Sequence, residues 1–237
     1  MSGVAQRSDP DVIARYARLA GVAMLLSLVF GALGEAYLPG KIIVGGDAAA
    51  TAANITAHPT LFRIAFATYL VEGFSDIILC VVWYVILKPV DRNLALISAF
   101  IGVVSMITFA IAQSEFWASS IILQSTGGMT AFTDEQRHAL AYLSIRISAM
   151  IASLFLCFYG TASAIRGFLI MRSGYLPKVL GVLLMIGGGG FILRSLTYIL
   201  APGYGSSLML VPMAVAGIPL MAWLLVKGVD RAAIERR

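Results

Sequence analysis

The run Leu61 to Leu87, LFRIAFATYLVEGFSDIILCVVWYVIL, decides the fold class. As a helix it is long enough to cross the hydrocarbon core of a bilayer, which takes about 20 predominantly apolar residues. Yet it carries Glu72 and Asp76 near its middle. A carboxylate at that depth costs about 2.5–3.5 kcal/mol on insertion scales, so it faces a protein interior and a partner rather than lipid. The stretch is therefore both a membrane span and a site hypothesis.

The rest of the chain has the same character. Of 237 residues, 59% are hydrophobic and 12% charged, about half the charged share of an ordinary soluble domain. The net charge of +5 sits at the ends of apolar runs, where positive residues set topology, so it gives no support to nucleic-acid binding. Cys80 and Cys157 both lie inside apolar runs and form no C-x-x-C motif, which leaves a redox pair or metal cluster without support.

Outward from the opening run, the hydropathy predicts an all-α, polytopic membrane protein, a bundle of six transmembrane helices in one domain over 1–237. The spans fall at about 16–37, 61–87, 94–122, 138–164, 179–200 and 208–226. Positive residues before an apolar run also describe a signal peptide, but Gly34-Glu35 reads as helix continuing, with a stop at Pro39-Gly40. Between the first two spans, Gly45-Gly46 is a turn signal and Asp47 is placed to cap a short Ala-rich surface helix, since an aspartate accepts the free N–H groups of a first turn. Lys88 to Arg92 is a tight connection, Thr133-Asp134-Glu135-Gln136 is a capping pattern, and Ala201 to Gly205 is a turn.

Six spans put both termini on one side. Arg7, Arg15, Arg18, Lys88, Arg92, Arg166, Arg172, Lys178, Lys227, Arg231, Arg236 and Arg237 fall there, against Lys41, Arg63 and Arg137 opposite. The positive-inside rule then places the N and C termini in the cytoplasm; the chain is expected in the cell inner (plasma) membrane, its partner the lipid bilayer.

Several segments carry a resemblance. Gly34-Glu35, the loop Gly46-Asp47-Ala48-Ala49-Ala50-Thr51-Ala52-Ala53-Asn54-Ile55, then Leu61-Phe62-Arg63, Asp76, and Lys88-Pro89-Val90-Asp91-Arg92-Asn93-Leu94-Ala95 resemble the bacterial integral membrane proteins grouped as domain of unknown function 4386. The resemblance implies a helical membrane fold and supplies no catalytic residue. That family usually carries Asn where Asp91 stands, and the later spans match by hydropathy.

Residues three, four or seven apart share a helix face, which gives each span a polar stripe. The second carries Tyr69, Glu72, Asp76 and Cys80; the third Thr108, Glu115 and Ser119; the fourth His138, Tyr142, Arg146 and Ser153, with Ala149 between; the fifth Gly187, Gly190, Arg194 and Tyr198; the first Ser27, Gly31 and Glu35. At 1.5 Å rise per residue, Arg194, Glu115, Arg146 and Glu72 lie roughly 9, 10, 12 and 16 Å below the outer ends of their helices. Arg146 and Arg194 are thus expected to meet some of Glu35, Glu72 and Glu115. Asp76, deeper, has no cationic neighbour by this reading.

Three functions are compatible with that layer. One is a polar cavity in the outer half, lined by Glu35, Tyr69, Glu72, Asp76, Glu115, Tyr142, Arg146, Arg194 and Tyr198, that binds or transports a small solute, cation or proton. The second is a structural or accessory membrane protein whose ion pairs only stabilise the bundle. The third, an intramembrane enzyme, lacks an accompanying nucleophile: no G-x-S-x-G motif is present. His58 and His138 on separate segments suggest neither haem nor zinc, so no cofactor or metal is expected. Gly187 to Gly190 has no following Lys-Ser or Lys-Thr for a phosphate loop, and close helix packing explains it better. Pro212 and Pro219 are placed to kink the sixth span.

Overall fold

The structure, a computed structural model, describes residues 9–124, 126–201 and 204–236. Arg7, Arg237 and the turn residues Pro202 and Gly203 lie outside the described residues. Among those described there is no strand, and six helical stretches are long and apolar enough to cross a membrane. Their outward faces carry large exposed apolar side chains such as Phe74 at 67%, Phe100 at 65% and Ile186 at 56% exposure. Water would penalise apolar surface on that scale, whereas lipid solvates it.

The helices are α1 (Pro10–Gly31), α2 (Pro39–Ile42), α3 (Ala48–Ala57), α4 (Pro59–Leu87), α5 (Arg92–Ile122), α6 (Asp134–Ser173), α7 (Lys178–Leu200), α8 (Val211–Val226) and α9 (Arg231–Glu235). A π-helical segment, Ala32–Tyr37, joins α1 to α2. Pro39-Gly40 therefore does not stop the first span. The Leu38 N–H reaches back five residues to the Leu33 carbonyl at 2.9 Å, and Pro39 then opens a new turn, a position where its missing N–H is tolerated.

The second difference lies in α6. Arg166 and Arg172 are read from sequence as part of a connection, but the helix continues through both to Ser173. Between Ala164 and Ser173 a single glycine, Gly167, costs about 1 kcal/mol of helix propensity, too little to end a helix otherwise built of good formers such as arginine. Termination waits for Gly174, whose φ of +76° is the left-handed conformation that ends helices at glycine.

The helix caps follow the sequence. Asp47 Oδ1 accepts from the Ala50 N–H at 2.9 Å. The Gln136 side chain accepts from the Thr133 N–H at 2.9 Å while the Thr133 hydroxyl accepts from the Gln136 N–H at 3.3 Å, a reciprocal capping box. Pro212 stands in the first turn of α8, leaving Pro219 interior to that helix.

By compactness the chain divides into two units. The first comprises Met1–Leu25, Asp76–Val104 and Leu156–Arg237, the second Leu26–Ser75 and Ser105–Phe155. The first unit has a dry core in which Ile13, Ala17 and Ala20 of α1 meet Trp83, Ile86 and Leu87 of α4 and Leu169, Leu220 and Leu224 of α6 and α8. Within it α6 and α7 approach along a glycine seam. A Cβ on Gly160 would lie 2.6 Å from the Gly188 carbonyl oxygen, and one on Gly167 2.5 Å from that of Gly181. The four-glycine run is thus a packing surface, as small residues are between membrane helices. In the second unit, Phe62 stacks on Phe116 with ring centroids 4.8 Å apart, which ties α4 to α5. The Gly46 N–H donates to Tyr142 Oη at 2.7 Å, which ties the loop before α3 to α6.

Candidate functional site

Within the second unit, α4 presents Thr68, Tyr69 and Glu72, exposed by only 5, 6 and 7%. Two glycines bring the backbone of the first span against this face. A Cβ on Gly31 would stand 2.6 Å from Glu72 Oε1, and one on Gly34 would collide with the Thr68 hydroxyl. Gly34 opens the way from the π-helical segment that also carries Glu35, a local widening that is frequent at functional sites. Tyr69 lies in the field of both the Glu35 and Glu72 carboxylates.

The other wall comes from α5. Tyr69 meets Phe109 and Phe116 edge-on, with centroids 5.9 and 5.8 Å away, and Phe109 in turn contacts Phe155 of α6 at 5.1 Å. Gln113 falls between Phe109 and Phe116 on the same buried face, and its Oε1 has no hydrogen-bond partner among the described residues. Glu115 stands at the shoulder of that face. Ser144 Oγ donates to the Glu115 carbonyl at 2.7 Å and lies 3.3 Å from its Oε2. The second unit thus gathers three acids, Glu72 buried, Glu115 half-buried and Glu35 exposed, and the phenol of Tyr69, with a buried amide on the ring-lined face of α5. Such a set favours a proton or a cation over an anion.

The first unit holds a separate polar cluster. Asp76, Cys80 and Arg166 are 4, 3 and 4% exposed. Arg166 Nη2 lies 3.7 Å from Cys80 Sγ, both packed over Gly102, where a Cβ would stand 2.5 Å from Nη2 and 2.7 Å from Sγ. Arg166 Nε has no hydrogen-bond partner among the described residues. The charges of Arg166 and Asp76 both reach the Cys80 thiol. Asp76 therefore shares its surroundings with a cation, contrary to the expectation from sequence.

The arginines singled out in the sequence behave differently. Arg146 is exposed and enters none of the ion pairs among the described residues. The buried face of this part of α6 runs through Ala141, Ser144, Ile145 and Ser148, and Arg146 lies off it. Arg194 is half-buried, its guanidinium 5.5 Å from the centroid of the Tyr198 ring. Tyr142 holds the Gly46 loop. Residues that the stripes passed over are Gln113, Ser144 and Arg166. A Ser144–Ser148 pair four apart was the available signal for the true face of α6.

Over residues 19–228 the chain matches the family described as "Domain of unknown function (DUF4386)". The chain belongs to the DUF4386 family. It is also similar to an uncharacterized protein of Archaeoglobus fulgidus, 26% identical over 142 residues, which are 60% of this chain and 70% of that relative. No solved structure matches. Membership agrees with the six apolar helices of a multi-pass membrane protein, and neither the DUF4386 description nor that relative names an activity.

Proposed function

We propose that this DUF4386 protein binds a small cationic solute or a proton at Glu35, Tyr69 and Glu72 and moves it across the cell inner membrane, with both termini cytoplasmic. The asymmetry of lysine and arginine supports the orientation. The observation that carries the site is Tyr69, buried and facing two carboxylates, with Arg146 turned away from them. Glu72 is the buried acid of the pair and Glu35 the exposed one; acids within membrane spans mark proton and ion pathways, and π-helical segments such as the one that carries Glu35 are frequent at functional sites. Glu115, fixed through Ser144, adds acceptor capacity.

Solid-supported-membrane recording on proteoliposomes tests this. Ammonium ions, short alkylamines and pH jumps are applied in turn. At least one evokes a transient current, which Glu72→Gln and Glu35→Gln each reduce at least tenfold. A current unchanged in Glu72→Gln rejects the site. The ring-to-ring packing of Phe62, Tyr69, Phe109, Phe116 and Phe155 favours a second reading, a membrane scaffold held by its core. Silence toward every probe would support that reading instead.

A further inference from the structure

A pocket of about 380 Å³ opens in the first unit where three membrane helices end. Gly174 follows the last residue of α6, Pro177 precedes the first of α7, and Lys227 and Gly228 follow the last of α8. Its walls include Tyr175, Trp223 and Asp230. The volume lies within the usual range for small-molecule sites, roughly 300–1,000 Å³.

The frame is built rather than loose. Gly174 and Gly228 take left-handed φ values of +76° and +69°. The Asp230 N–H donates to the Tyr175 carbonyl at 3.1 Å, and the Tyr175 hydroxyl donates to the Ile86 carbonyl at 2.5 Å. The Lys227 and Gly228 N–H groups both donate to the Trp223 carbonyl, at 2.8 and 2.9 Å. Lys227 Nζ sits 4.5 Å from the centroid of the Trp223 ring. Asp230 Oδ1 accepts from the Ala233 N–H at 3.2 Å, capping α9.

Two opposite charges therefore face one cavity. Lys227 supplies a positive end. Asp230 supplies a negative one, its carboxylate lining the same cavity. A lone anion would meet that carboxylate, and a lone cation would meet the lysine. A ligand that carries both charges a short distance apart satisfies both. The negative end offers hydrogen-bond acceptors, which suit a primary ammonium with three N–H donors rather than a quaternary one with none. Helix ends lie at the bilayer interface, and tryptophan and lysine are its usual residents.

We infer that the pocket formed by Trp223, Lys227 and Asp230 between the ends of α6 and α8 binds a phosphoethanolamine group, with the phosphate toward Lys227 and the ammonium toward Asp230. The group is presented either on a phospholipid or free in solution.

Native mass spectrometry of the full chain, offered equal amounts of phosphatidylethanolamine, phosphatidylcholine and phosphatidylglycerol, reads the selectivity. Phosphatidylethanolamine is retained at least tenfold over the other two. Asp230→Asn removes the charge and keeps the cap, because asparagine caps helices as well as aspartate does, and it abolishes the preference over phosphatidylcholine. Lys227→Gln weakens retention of phosphatidylethanolamine and leaves the melting temperature unchanged. Free phosphoethanolamine, titrated by calorimetry, separates the sources: competition with the lipid assigns a soluble ligand, and lipid retention without competition assigns the membrane. If neither the lipid nor free phosphoethanolamine is bound selectively, or if Asp230→Asn leaves the preference intact, the assignment is overturned.

Discussion

The Glu72 carboxylate lies so close to Gly31 that a methyl group on that glycine would stand 2.6 Å from Oε1. The obstacle is the far end of a flexible side chain rather than backbone. Gly31→Ala is therefore expected to displace the carboxylate at a cost near the low end of the ~1–3 kcal/mol typical of overpacking. The melting temperature should fall by no more than about 4 °C, while the cation-evoked current drops as in Glu72→Gln. A large loss of stability with currents intact would contradict this account of the site.

Along the α6–α7 seam the same substitution meets backbone. A Cβ at Gly160 would lie 2.6 Å from the Gly188 carbonyl oxygen and 3.0 Å from Phe191 Cβ, and neither can turn aside. Gly160→Ala and Gly167→Ala should each lower stability by about 1–3 kcal/mol, read as a fall in melting temperature of several degrees. Gly189 is the internal control, because nothing lies within 4 Å of its Cβ position. Gly189→Ala should be neutral or gain up to about 1 kcal/mol from helix propensity. Equal effects at all three positions would mean that the glycines do not form a seam.

These contrasts mark what can be read from sequence. The span positions follow from hydropathy, because lipid demands long apolar helices and little else produces them. The caps at Asp47 and Thr133 are local chemistry and are legible for that reason. Which face of α6 turns inward is not local. The charged stripe through Arg146 pointed one way, but burial followed the small residues Ala141, Ser144 and Ser148, which allow close approach. Arg166 was missed because a charge just past an apolar run looks like the end of a span. Its cover comes from Cys80 and Gly102, about eighty-six and sixty-four positions distant along the chain, a juxtaposition that no spacing rule encodes.

The Arg166 guanidinium is too deeply buried to stand without countercharge, since removing one member of a buried ionic set costs roughly 3–5 kcal/mol. Asp76 is the acid whose charge reaches the same thiol. Arg166→Met and Asp76→Asn should each destabilise the protein, and the double variant should be more stable than the two losses added together predict. A double-mutant cycle is expected to return a coupling of about 0.5–3 kcal/mol. Strict additivity would show that the two charges are held independently.

Tyr142 reaches Gly46 from a helix 96 residues further along the chain, and its hydroxyl oxygen accepts the glycine N–H at 2.7 Å. Gly46 has a φ of +82°, which a side chain would strain, so the loop depends on both the glycine and the tether. Tyr142→Phe removes the acceptor and nothing else of consequence. Water replaces it at this exposed position, so the loss should be near the ~0.5–1.5 kcal/mol net value of a protein hydrogen bond. Hydrogen exchange at the Gly46 amide should accelerate up to about tenfold by that arithmetic. Exchange at Ala50 should hold, because Asp47 Oδ1 still accepts its N–H at 2.9 Å. Asp47→Ala should do the reverse, freeing Ala50 and fraying the start of α3 by about 1 kcal/mol while the tether to Tyr142 persists. If both variants loosen the whole segment equally, the loop and α3 unfold as one unit, and the tether and the cap are not separable supports.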